Sequence, residues 1–225
     1  AQSNNITIGE GGNVYVVGQT DSTSGTNTGQ YKGYILKYRG SNGQLLSRRE
    51  VYFPTTQATT MSAVKYDGDY SGRILCSGYH NESSGNIGFL MSINPYVAAT
   101  YVYQWCVDFN NMADVRDMVF DSSGNIYCTG RVGSLNQDEG FVMKLNSSGS
   151  IQWSTIFGNT GQIADYARSI VMDSSGNLYV AGHISNPYGG YTAHGFLAKF
   201  NSSGTHQWTK HIGKNEASSG YETQT

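Results

Sequence analysis

The amino-acid sequence predicts an all-β protein, and three observations carry that prediction. The chain repeats one unit four times, each unit contains four short runs of β-branched and aromatic residues, and tight-turn sequences separate these runs. The 225 residues include 29 Gly, which suits a chain that turns often. No stretch shows a sustained helical period, so we expect no long helix.

The repeat is most regular in the second half of the chain. Residues 118–130 read MVFDSSGNIYCTG and residues 140–158 read GFVMKLNSSGSIQWSTIFG; the same pattern returns at 170–182 and 195–213. The glycine that closes the second strand lies at Gly18, Gly78, Gly130 and Gly182, and the glycine that opens the third lies at Gly33, Gly88, Gly140 and Gly195. The repeat period of 52 to 60 residues is long enough for one small sheet per unit.

Each unit therefore contains four predicted strands, A to D. In the third and fourth units, strand A covers 118–120 and 170–172, strand B covers 126–128 and 178–180, and strand C covers 141–145 and 196–200. Strand D holds Ile151, Trp153 and Phe157 in the third unit, and Trp208 and Ile212 in the fourth. Runs of this length and composition are typical of short strands.

The sequences between these strands predict tight hairpins. DSSGN separates strands A and B, and NSSG separates strands C and D. The Asp or Asn side chain can accept a hydrogen bond from the backbone two residues further on, and Gly can adopt the positive φ that such turns require. Short connections join antiparallel neighbours, so each unit is predicted to be a four-stranded meander.

The apolar pattern predicts how the meanders pack. Strands A and B are apolar at successive positions, so both of their faces must be covered. Strand D alternates, with Ile151, Trp153 and Thr155 on one side and Gln152, Ser154 and Ile156 on the other. A covered inner edge and a wetter outer edge favour sheets stacked radially as the blades of a β-propeller. A β-sandwich would alternate in every strand, and a β-helix would have shorter rungs and fewer hairpins.

The repeat also resembles a known family. The pattern D-S-S-G-N-h-Y-h-x-G followed by G-F-h-x-K-h-N-S-S-G-x-x-x-W, where h is apolar, is similar to the short repeats of the seven-bladed β-propeller repeat family, found in bacterial surface proteins and in structural proteins of marine bacteriophages. The resemblance covers about residues 6–213 and is partial in the first two units. There, Ser47 lies near the expected Trp, and Asn94-Pro95-Tyr96 stands where the second turn should begin. The resemblance implies a propeller and a surface or virion context, and it implies no catalytic residues.

We therefore predict a single β-propeller domain, or part of one, over residues 1–225. Its units span approximately 5–55, 56–110, 111–160 and 161–213, and residues 214–225 form the start of a further unit or a tail. Four units can close a small ring, or they can belong to a larger ring completed by further residues or by a partner chain. Ring closure stays open at this point, with a longer chain favoured.

The charge balance excludes several classes of partner. The chain has 14 Lys and Arg against 16 Asp and Glu, with no basic run, so binding to nucleic acid by bulk charge is not expected. No apolar run approaches the ~18–20 residues of a membrane helix, so we expect no membrane insertion.

The cysteines and acidic turns indicate neither a cofactor nor a metal. Cys76 and Cys128 stand at one repeat position where the other units have valine, which predicts a buried slot, and Cys106 is also expected to be a free core thiol. No His or paired Cys falls at ligand spacing. Residues 67–72, DGDYSG, lack the full length of a calcium loop and are interpreted as a turn with a two-residue insertion.

Two arginines occupy equivalent positions at the start of strand A. We expect Arg116 and Arg168 to take part in blade packing or in a channel-lining ion pair, with Asp114 or Asp117 as partner. The sequence suggests no convergent, unit-specific polar residues near the axis. No catalytic residue is therefore predicted, and the protein is expected not to be an enzyme.

One rim of the propeller is predicted to carry recognition. The B–C connections vary, with 14 residues after Gly18, nine after Gly78 and Gly130, and 12 after Gly182, and they emerge on the same rim as the D–A connections. Variable loops rich in Tyr, Ser, Gly and Asn on a rigid scaffold are typical of binding surfaces. The candidate ligand-binding residues, taken as exposed loop positions, are Tyr31, Tyr79, His80, Arg131, Tyr188, Tyr191 and His194.

These observations favour a non-enzymatic structural or recognition β-propeller, extracellular or in a virion. Its context would be a phage tail, fibre or capsid-associated protein, or a cell surface. Its partner would be a surface glycan or a neighbouring structural protein, and a homo-oligomer or larger assembly is left open. The alternative is an extracellular carbohydrate-active propeller enzyme, a hydrolase or a lyase.

Overall fold

The computed structural model describes residues 1–21, 31–51, 53, 58–68, 71–83, 85–95, 102–110, 112–133, 139–158, 165–184 and 194–212. Sixteen strands in these residues form four separate antiparallel sheets of four strands each. A single turn of 3-10 helix, Glu10–Gly12, is the one helical element in this part of the chain. No described helix has the length and apolar character needed to span a membrane.

Each sheet is formed by consecutive strands and is called a blade. Blade 1 contains β1 (Gln2–Ile8), β2 (Val14–Asp21), β3 (Tyr31–Tyr38) and β4 (Leu45–Val51). Blade 2 contains β5 (Thr59–Asp67), β6 (Arg73–Glu82), β7 (Gly85–Asn94) and β8 (Val102–Phe109). Blade 3 contains β9 (Met112–Phe120), β10 (Ile126–Val132), β11 (Glu139–Leu145) and β12 (Ile151–Phe157). Blade 4 contains β13 (Asp165–Met172), β14 (Leu178–Ile184), β15 (His194–Phe200) and β16 (His206–Ile212).

The order of strands in every sheet follows the chain, so each blade is a meander. The first strand of each later blade packs against the first three strands of the blade before it, which places the first strands on the inside and the fourth strands on the outside. The predicted β-propeller architecture of four-stranded antiparallel blades is thereby confirmed.

The hairpin turns form as the sequence predicts. Asp121 Oδ1 accepts hydrogen bonds from the backbone N–H groups of Ser123 and Asn125, at 3.0 and 2.9 Å. Asp173 makes the same two contacts one unit later. Gly124 has φ +75°, the left-handed conformation that a Cβ atom disfavours. The side-chain acceptor and the glycine together fix the register of the two inner strands.

The hydrophobic core is divided into three clusters, each shared by two consecutive blades. The clusters include Val17 and Ile35 with Val64 and Cys76, then Leu75 and Leu90 with Met118 and Cys128, then Tyr127 and Val142 with Ile170 and Val180. Adjacent residues such as Leu75 and Cys76 are both fully buried but belong to different clusters. The second strands of blades 2 and 3 are therefore covered on both faces, as expected, whereas those of blades 1 and 4 are covered on the face towards the neighbouring blade.

The fourth strands are wetter, again as expected. In β12, Trp153, Thr155 and Phe157 are half-buried, whereas the alternate residues Gln152, Ser154 and Ile156 are exposed. Ile151, which was predicted to share the side of Trp153, is 50% exposed, because the register of the strand shifts between these two residues. The outer strand of blade 3 thus has one face towards blade 4 and one face towards solvent.

The position of one cysteine corrects the sequence analysis. Cys76 and Cys128 are buried free thiols, and burial raises the pKa of both. Cys106 is free but exposed, so the expectation of three core thiols is wrong for this residue. It lies on β8, an outer strand, and its neighbour Trp105 takes the half-buried side of the alternation.

Residues 67–72 close a turn that an ion pair stabilises. The backbone N–H of Gly72 donates to Asp67 O at 2.7 Å, and Arg73 Nε lies 3.0 Å from Asp67 Oδ2 with both side chains buried. The Asp67 carboxylate is thus directed towards a guanidinium, in agreement with the interpretation as a turn. Asp69 and Tyr70 lie outside the described residues.

The ring is not closed by strand pairing. Within the part of the chain that the structure describes, no sheet and no core cluster joins blade 4 to blade 1. Among the described residues, the outward faces of these two blades belong to no shared core cluster, and Ile6 and Ile212 on them are 64% and 60% exposed.

Candidate functional site

A β-bulge interrupts the first strand of every blade at the same place, close to the loop-bearing rim. The bulged residues are Asn4, Ser62, Arg116 and Arg168. A bulge leaves one residue out of the ladder and redirects its side chain. Because the first strands are innermost, these four side chains start from the inner edge of the rim.

The bulged residues make polar contacts near the axis. Asn4 Nδ2 donates to Met61 O at 2.8 Å, and Ser62 Oγ donates to Asp114 Oδ1 at 2.9 Å, so each links its blade to the next. Arg116 forms an ion pair with the same buried carboxylate, Asp114. The predicted ion pair of Arg116 is confirmed, with Asp114 as the partner.

Asp117 instead joins three blades. Its carboxylate lies 3.2 Å from Lys65 Nζ of blade 2 and accepts hydrogen bonds from Ser169 Oγ and Ile170 N of blade 4, at 2.9 and 3.1 Å. These contacts fix the first strands relative to one another beneath the rim. The rim residues therefore stand on a rigid support.

Tyr166 is the centre of a cationic group on this rim. The Cζ atoms of Arg131 and Arg168 lie 5.5 and 5.7 Å from the centroid of its ring. His183 stacks on the same ring, with 4.6 Å between centroids and 23° between planes. With the ion pair beside them, the residues form what we call the rim cluster, which consists of Asp114, Arg116, Arg131, Tyr166, Arg168 and His183.

The rim cluster holds several positively charged side chains close together, and burial and their mutual repulsion lower pKa values within it. Burial and the guanidinium groups of Arg116 and Arg131 lower the pKa of Arg168. Burial and the same kind of repulsion, from Arg168 and Arg116, lower the pKa of His183. The lowered pKa favours the neutral form of the imidazole, whereas arginine keeps its charge.

All three guanidinium groups interact with one carboxylate, that of Asp114. Burial raises the pKa of Asp114, while Arg116 and Ser62 act in the opposite direction. Arg168 is exposed, and Arg116 and Arg131 are half-buried, so part of the cationic surface faces solvent. One guanidinium group can donate two parallel hydrogen bonds to two oxygens of a carboxylate or sulfate group, and the tyrosine ring offers a face on which a ligand ring can stack. The arrangement is suited to an anionic ligand.

The rim cluster corrects one expectation. The sequence suggested no convergent, unit-specific polar residues near the axis, and this is wrong. Asp114 pairs across the ladder with Arg131, and Tyr166 with His183 holds the same position in the next blade. A comparison of the repeats could have found these positions. The third and fourth units have identical turn sequences but different residues here, namely Asp114 and Arg131 against Tyr166 and His183.

The predicted ligand-binding residues have different fates. Arg131 lies in the rim cluster. Tyr31 is exposed at the start of β3, and Tyr79 is half-buried on β6. Their binding role stays a prediction. Tyr188 and Tyr191 lie outside the described residues, as does the side chain of His194, whose backbone begins β15.

His80 is not an exposed loop residue, and the expectation that it is one is wrong. It is 2% exposed, and its ring stacks on Phe53 at 4.1 Å between centroids. Its Nε2 lies 3.4 Å from Asp108 Oδ1. The longer β6 strand continues past Gly78 and carries His80 into the packed junction between blades 1 and 2.

The described residues contain no group of three or more His, Cys, Asp or Glu side chains that is arranged to hold a metal ion.

Comparison with known proteins supports the architecture. Residues 152–189 match the family model described as a beta-propeller repeat. This segment contains the fourth strand of blade 3 and the first two strands of blade 4. A comparison with curated proteins found no match.

Several solved structures share the fold. A polysaccharide lyase of family PL25, an ulvan lyase bound to -[GlcA(1-4)Rha3S]-, matches with a TM-score of 0.56 and 12% identity, over 88% of this chain and 55% of that chain. A protein of unknown function from Dyadobacter fermentans matches with a TM-score of 0.54 and 9% identity, over 92% and 74% of the two chains. The Dos1 propeller gives a TM-score of 0.49 and 12% identity, over 89% and 57%. The chain thus spans about half the length of the lyase, and at these identities the likeness shows the fold alone.

Proposed function

We propose that this β-propeller is a non-enzymatic recognition module that binds an acidic glycan on its loop-bearing rim. The observation that carries the proposal is the rim cluster, in which Arg131, Arg168 and His183 lie against the Tyr166 ring. The charges of Arg116, Arg131 and Arg168 are balanced in part by the buried carboxylate of Asp114. Carboxylate or sulfate groups of the glycan would accept hydrogen bonds from the guanidinium groups, and a sugar ring would stack on an aromatic face.

The structure supports binding more directly than turnover. Asp114 is engaged by Arg116 and Ser62, which suits a structural counter-ion better than a free acid or base. Asp117, the nearest other carboxylate in the same strand, is engaged by Lys65 and Ser169. Both of these carboxylates are thus already paired in ways that fix the geometry of the site.

A virion or cell-surface location accompanies this proposal. It follows from the resemblance of the repeats to those of surface and phage structural proteins, and a neighbouring structural protein would be the second partner. Immunogold labelling of the source particle or cell with an antibody against the propeller tests the location.

Calorimetric titration tests the binding proposal with dextran sulfate, oligogalacturonate and neutral dextran. We expect the two anionic polymers to bind and dextran not to bind, with affinity falling as salt screens the charges. Arg168→Gln should weaken binding by about tenfold, the worth of one charge-assisted hydrogen bond. Arg39→Gln is the matched control, because Arg39 is exposed in the turn at the opposite rim. Equal effects of the two variants, or equal binding of dextran, would refute a specific rim site.

One observation favours the alternative, a carbohydrate-active lyase. Tyr166 and His183 stack beside Arg116 and Arg168, and a phenol, an imidazole and guanidinium groups are the side chains that could remove a proton next to a uronate carboxylate and neutralise that carboxylate. The ulvan lyase that shares this fold has a structure bound to -[GlcA(1-4)Rha3S]-, a chain that contains glucuronate. Incubation with oligogalacturonate and ulvan decides between the two functions. Turnover to unsaturated uronate ends that is abolished by Tyr166→Phe or Asp114→Asn would replace the recognition proposal.

A further inference from the structure

The outward faces of blades 1 and 4 expose apolar residues at positions that are buried or half-buried in the other blades. The last residue of the fourth strand is Val51 in blade 1 and Phe109 in blade 2, which are 3% and 5% exposed and belong to the clusters shared with the next blade. Phe157 holds this position in blade 3 and is half-buried against the third cluster, whereas Ile212 holds it in blade 4 and is 60% exposed. Apolar residues that are exposed at an otherwise covered position indicate an interaction site.

The outward face of blade 4 reproduces a surface that is covered within this same molecule. In blade 3, Tyr127 and Trp153 lie 6.1 Å apart at 60°, with Lys144 over the tyrosine ring, and blade 4 packs on them. In blade 4, Tyr179 and Trp208 lie 6.2 Å apart at 61°, with Lys199 over the tyrosine ring. The outward face of blade 4 therefore has the same aromatic arrangement as the face of blade 3 on which blade 4 packs.

Two junctions between blades share a contact between a tryptophan of one blade and a turn glycine of the next blade. The ring of Trp105 in blade 2 lies against Gly149 in the C–D turn of blade 3, where an added Cβ would be 2.8 Å away. Trp153 lies in the same way against Gly204 of blade 4, at 2.6 Å. The junction between blades 1 and 2 lacks both residues of this contact. Blade 1 has Ser47 at the tryptophan position, and the C–D turn of blade 2 begins with Asn94-Pro95 in place of the glycine-containing turn sequence.

The two ends of the chain carry the unmatched halves of this tryptophan–glycine contact. Blade 4 has Trp208, and blade 1 has Gly43, which has φ +69° and no atom within 4 Å of a Cβ placed on it. Blade 1 also exposes Ile6 by 64%, although its equivalents are no more than 1% exposed. Those equivalents are Val64, Met118 and Ile170.

We propose that blade 4 of one copy of this chain packs on blade 1 of a second copy, with Trp208 over Gly43 and Ile212 against the face that carries Ile6. The faces at the two ends of the arc are different and complementary, so the contact is head-to-tail. End repeats that remain solvated in repeat proteins carry polar outer faces, whereas these are apolar. The proposal is independent of what the rim binds.

Sedimentation velocity over a concentration series tests this proposal on the 225-residue chain. We expect mass above that of the monomer, rising with concentration. Ile6→Lys and Ile212→Lys should each weaken association by about tenfold or more, because each places a charge in an apolar contact. Ile156→Lys is the matched control, since Ile156 is 52% exposed on the outer strand of an internal blade. Circular dichroism melts establish that the variants are folded.

Mixing the two variants gives the sharpest readout. Ile6→Lys leaves the blade 4 face intact, and Ile212→Lys leaves the blade 1 face intact, so the mixture should form a 1:1 complex although each variant alone is monomeric. A symmetric contact between like faces would give no such rescue and would overturn the proposal. A wild-type chain that stays monomeric at all concentrations would overturn it too, whether the faces meet within one molecule or another blade covers them.

Discussion

Trp153 of blade 3 lies flat against Gly204 of blade 4, so closely that a Cβ atom on residue 204 would sit 2.6 Å from two atoms of the indole ring. The turn that contains this glycine also accepts a hydrogen bond from Thr155 Oγ1, at 2.8 Å to Gly204 O. One residue thus serves both the tight turn of its own blade and the packing of the blade before it.

Gly204→Ala should destabilise the protein more than Gly43→Ala. Both glycines have positive φ, so alanine costs about 1–2 kcal/mol of backbone strain at each position. At 204 the methyl group must also displace the Trp153 ring, which adds about 1–3 kcal/mol, whereas at 43 it meets open space. Urea unfolding of both variants measures the difference. Equal losses would show that the indole moves aside at no cost.

Trp153→Ala should cost about 3–5 kcal/mol in unfolding free energy, as expected for a large side chain packed between blades. Trp208→Ala should cost about half of that or less when the protein is dilute, because no described blade covers its outer side. Thermal and urea unfolding at low protein concentration provide the comparison. A loss at Trp208 as large as that at Trp153 would mean that the outer face of blade 4 is covered in solution.

The A–B turns should make stability depend on acidic pH. Hydrogen bonds from the side chain and backbone of Asn177 lower the pKa of Asp173 from its ordinary value. A lowered pKa in the folded state contributes stability that is present above the unfolded-state value of about 4 and is lost as the pH falls through the folded-state value.

Asp173→Asn tests that dependence. The amide keeps the acceptor atom and removes the titration, and Asn201 already supports a turn of the same kind in the C–D connection. The melting temperature of the variant should therefore fall less steeply than that of the wild type between about pH 5 and pH 2. Parallel curves for the two proteins would assign the acid sensitivity to other carboxylates.

Arg168→Gln should raise the pKa of His183 towards its ordinary value of 6.5. Burial lowers that pKa first and is retained in the variant, whereas the repulsion from Arg168 is removed. An NMR titration of the imidazole protons measures the shift, with Arg39→Gln as a distant arginine control. A pKa that stays unchanged in Arg168→Gln would mean that the guanidinium is too well solvated to act on the ring.

The same pKa sets the sign of a pH effect on folding. Since the lowered pKa favours the neutral imidazole in the folded state, His183 contributes stability above pH 6.5 that is lost as the pH falls through its folded-state value. An anionic ligand would act in the opposite direction, because a protonated His183 attracts it. Binding of dextran sulfate should therefore strengthen as the solution is acidified through that range.

The repeat made the fold predictable to the level of strands and turns. Asp121 and Asn146 accept the backbone hydrogen bonds that their positions imply, and the valine-to-cysteine exchange at Cys128 correctly indicated a buried slot. These inferences succeed because turn chemistry and burial are local properties that recur in each unit.

The rim cluster was harder to predict because it depends on a bulge. One extra residue in the first strand changes which side chains face the axis, and no composition signal marks Arg116 or Arg168 as bulged. The prediction for His80 was wrong because the second strand of every blade extends at least two residues beyond its closing glycine. His80 therefore lies inside the sheet, where Phe53 stacks on its ring. The prediction that Cys106 is a core thiol was wrong because the outer strands bury only alternate residues.

The recurring bulge places a different side chain at the same backbone position in different blades. Its residue is an amide in Asn4, a hydroxyl in Ser62 and a guanidinium in Arg116 and Arg168, yet the blades around all four are alike. Asn4, Ser62 and Arg116 also hold contacts to the next blade or to the buried Asp114, whereas Arg168 is exposed. We therefore expect that the charge displayed at the rim can be altered at Arg168 with the smallest loss of stability.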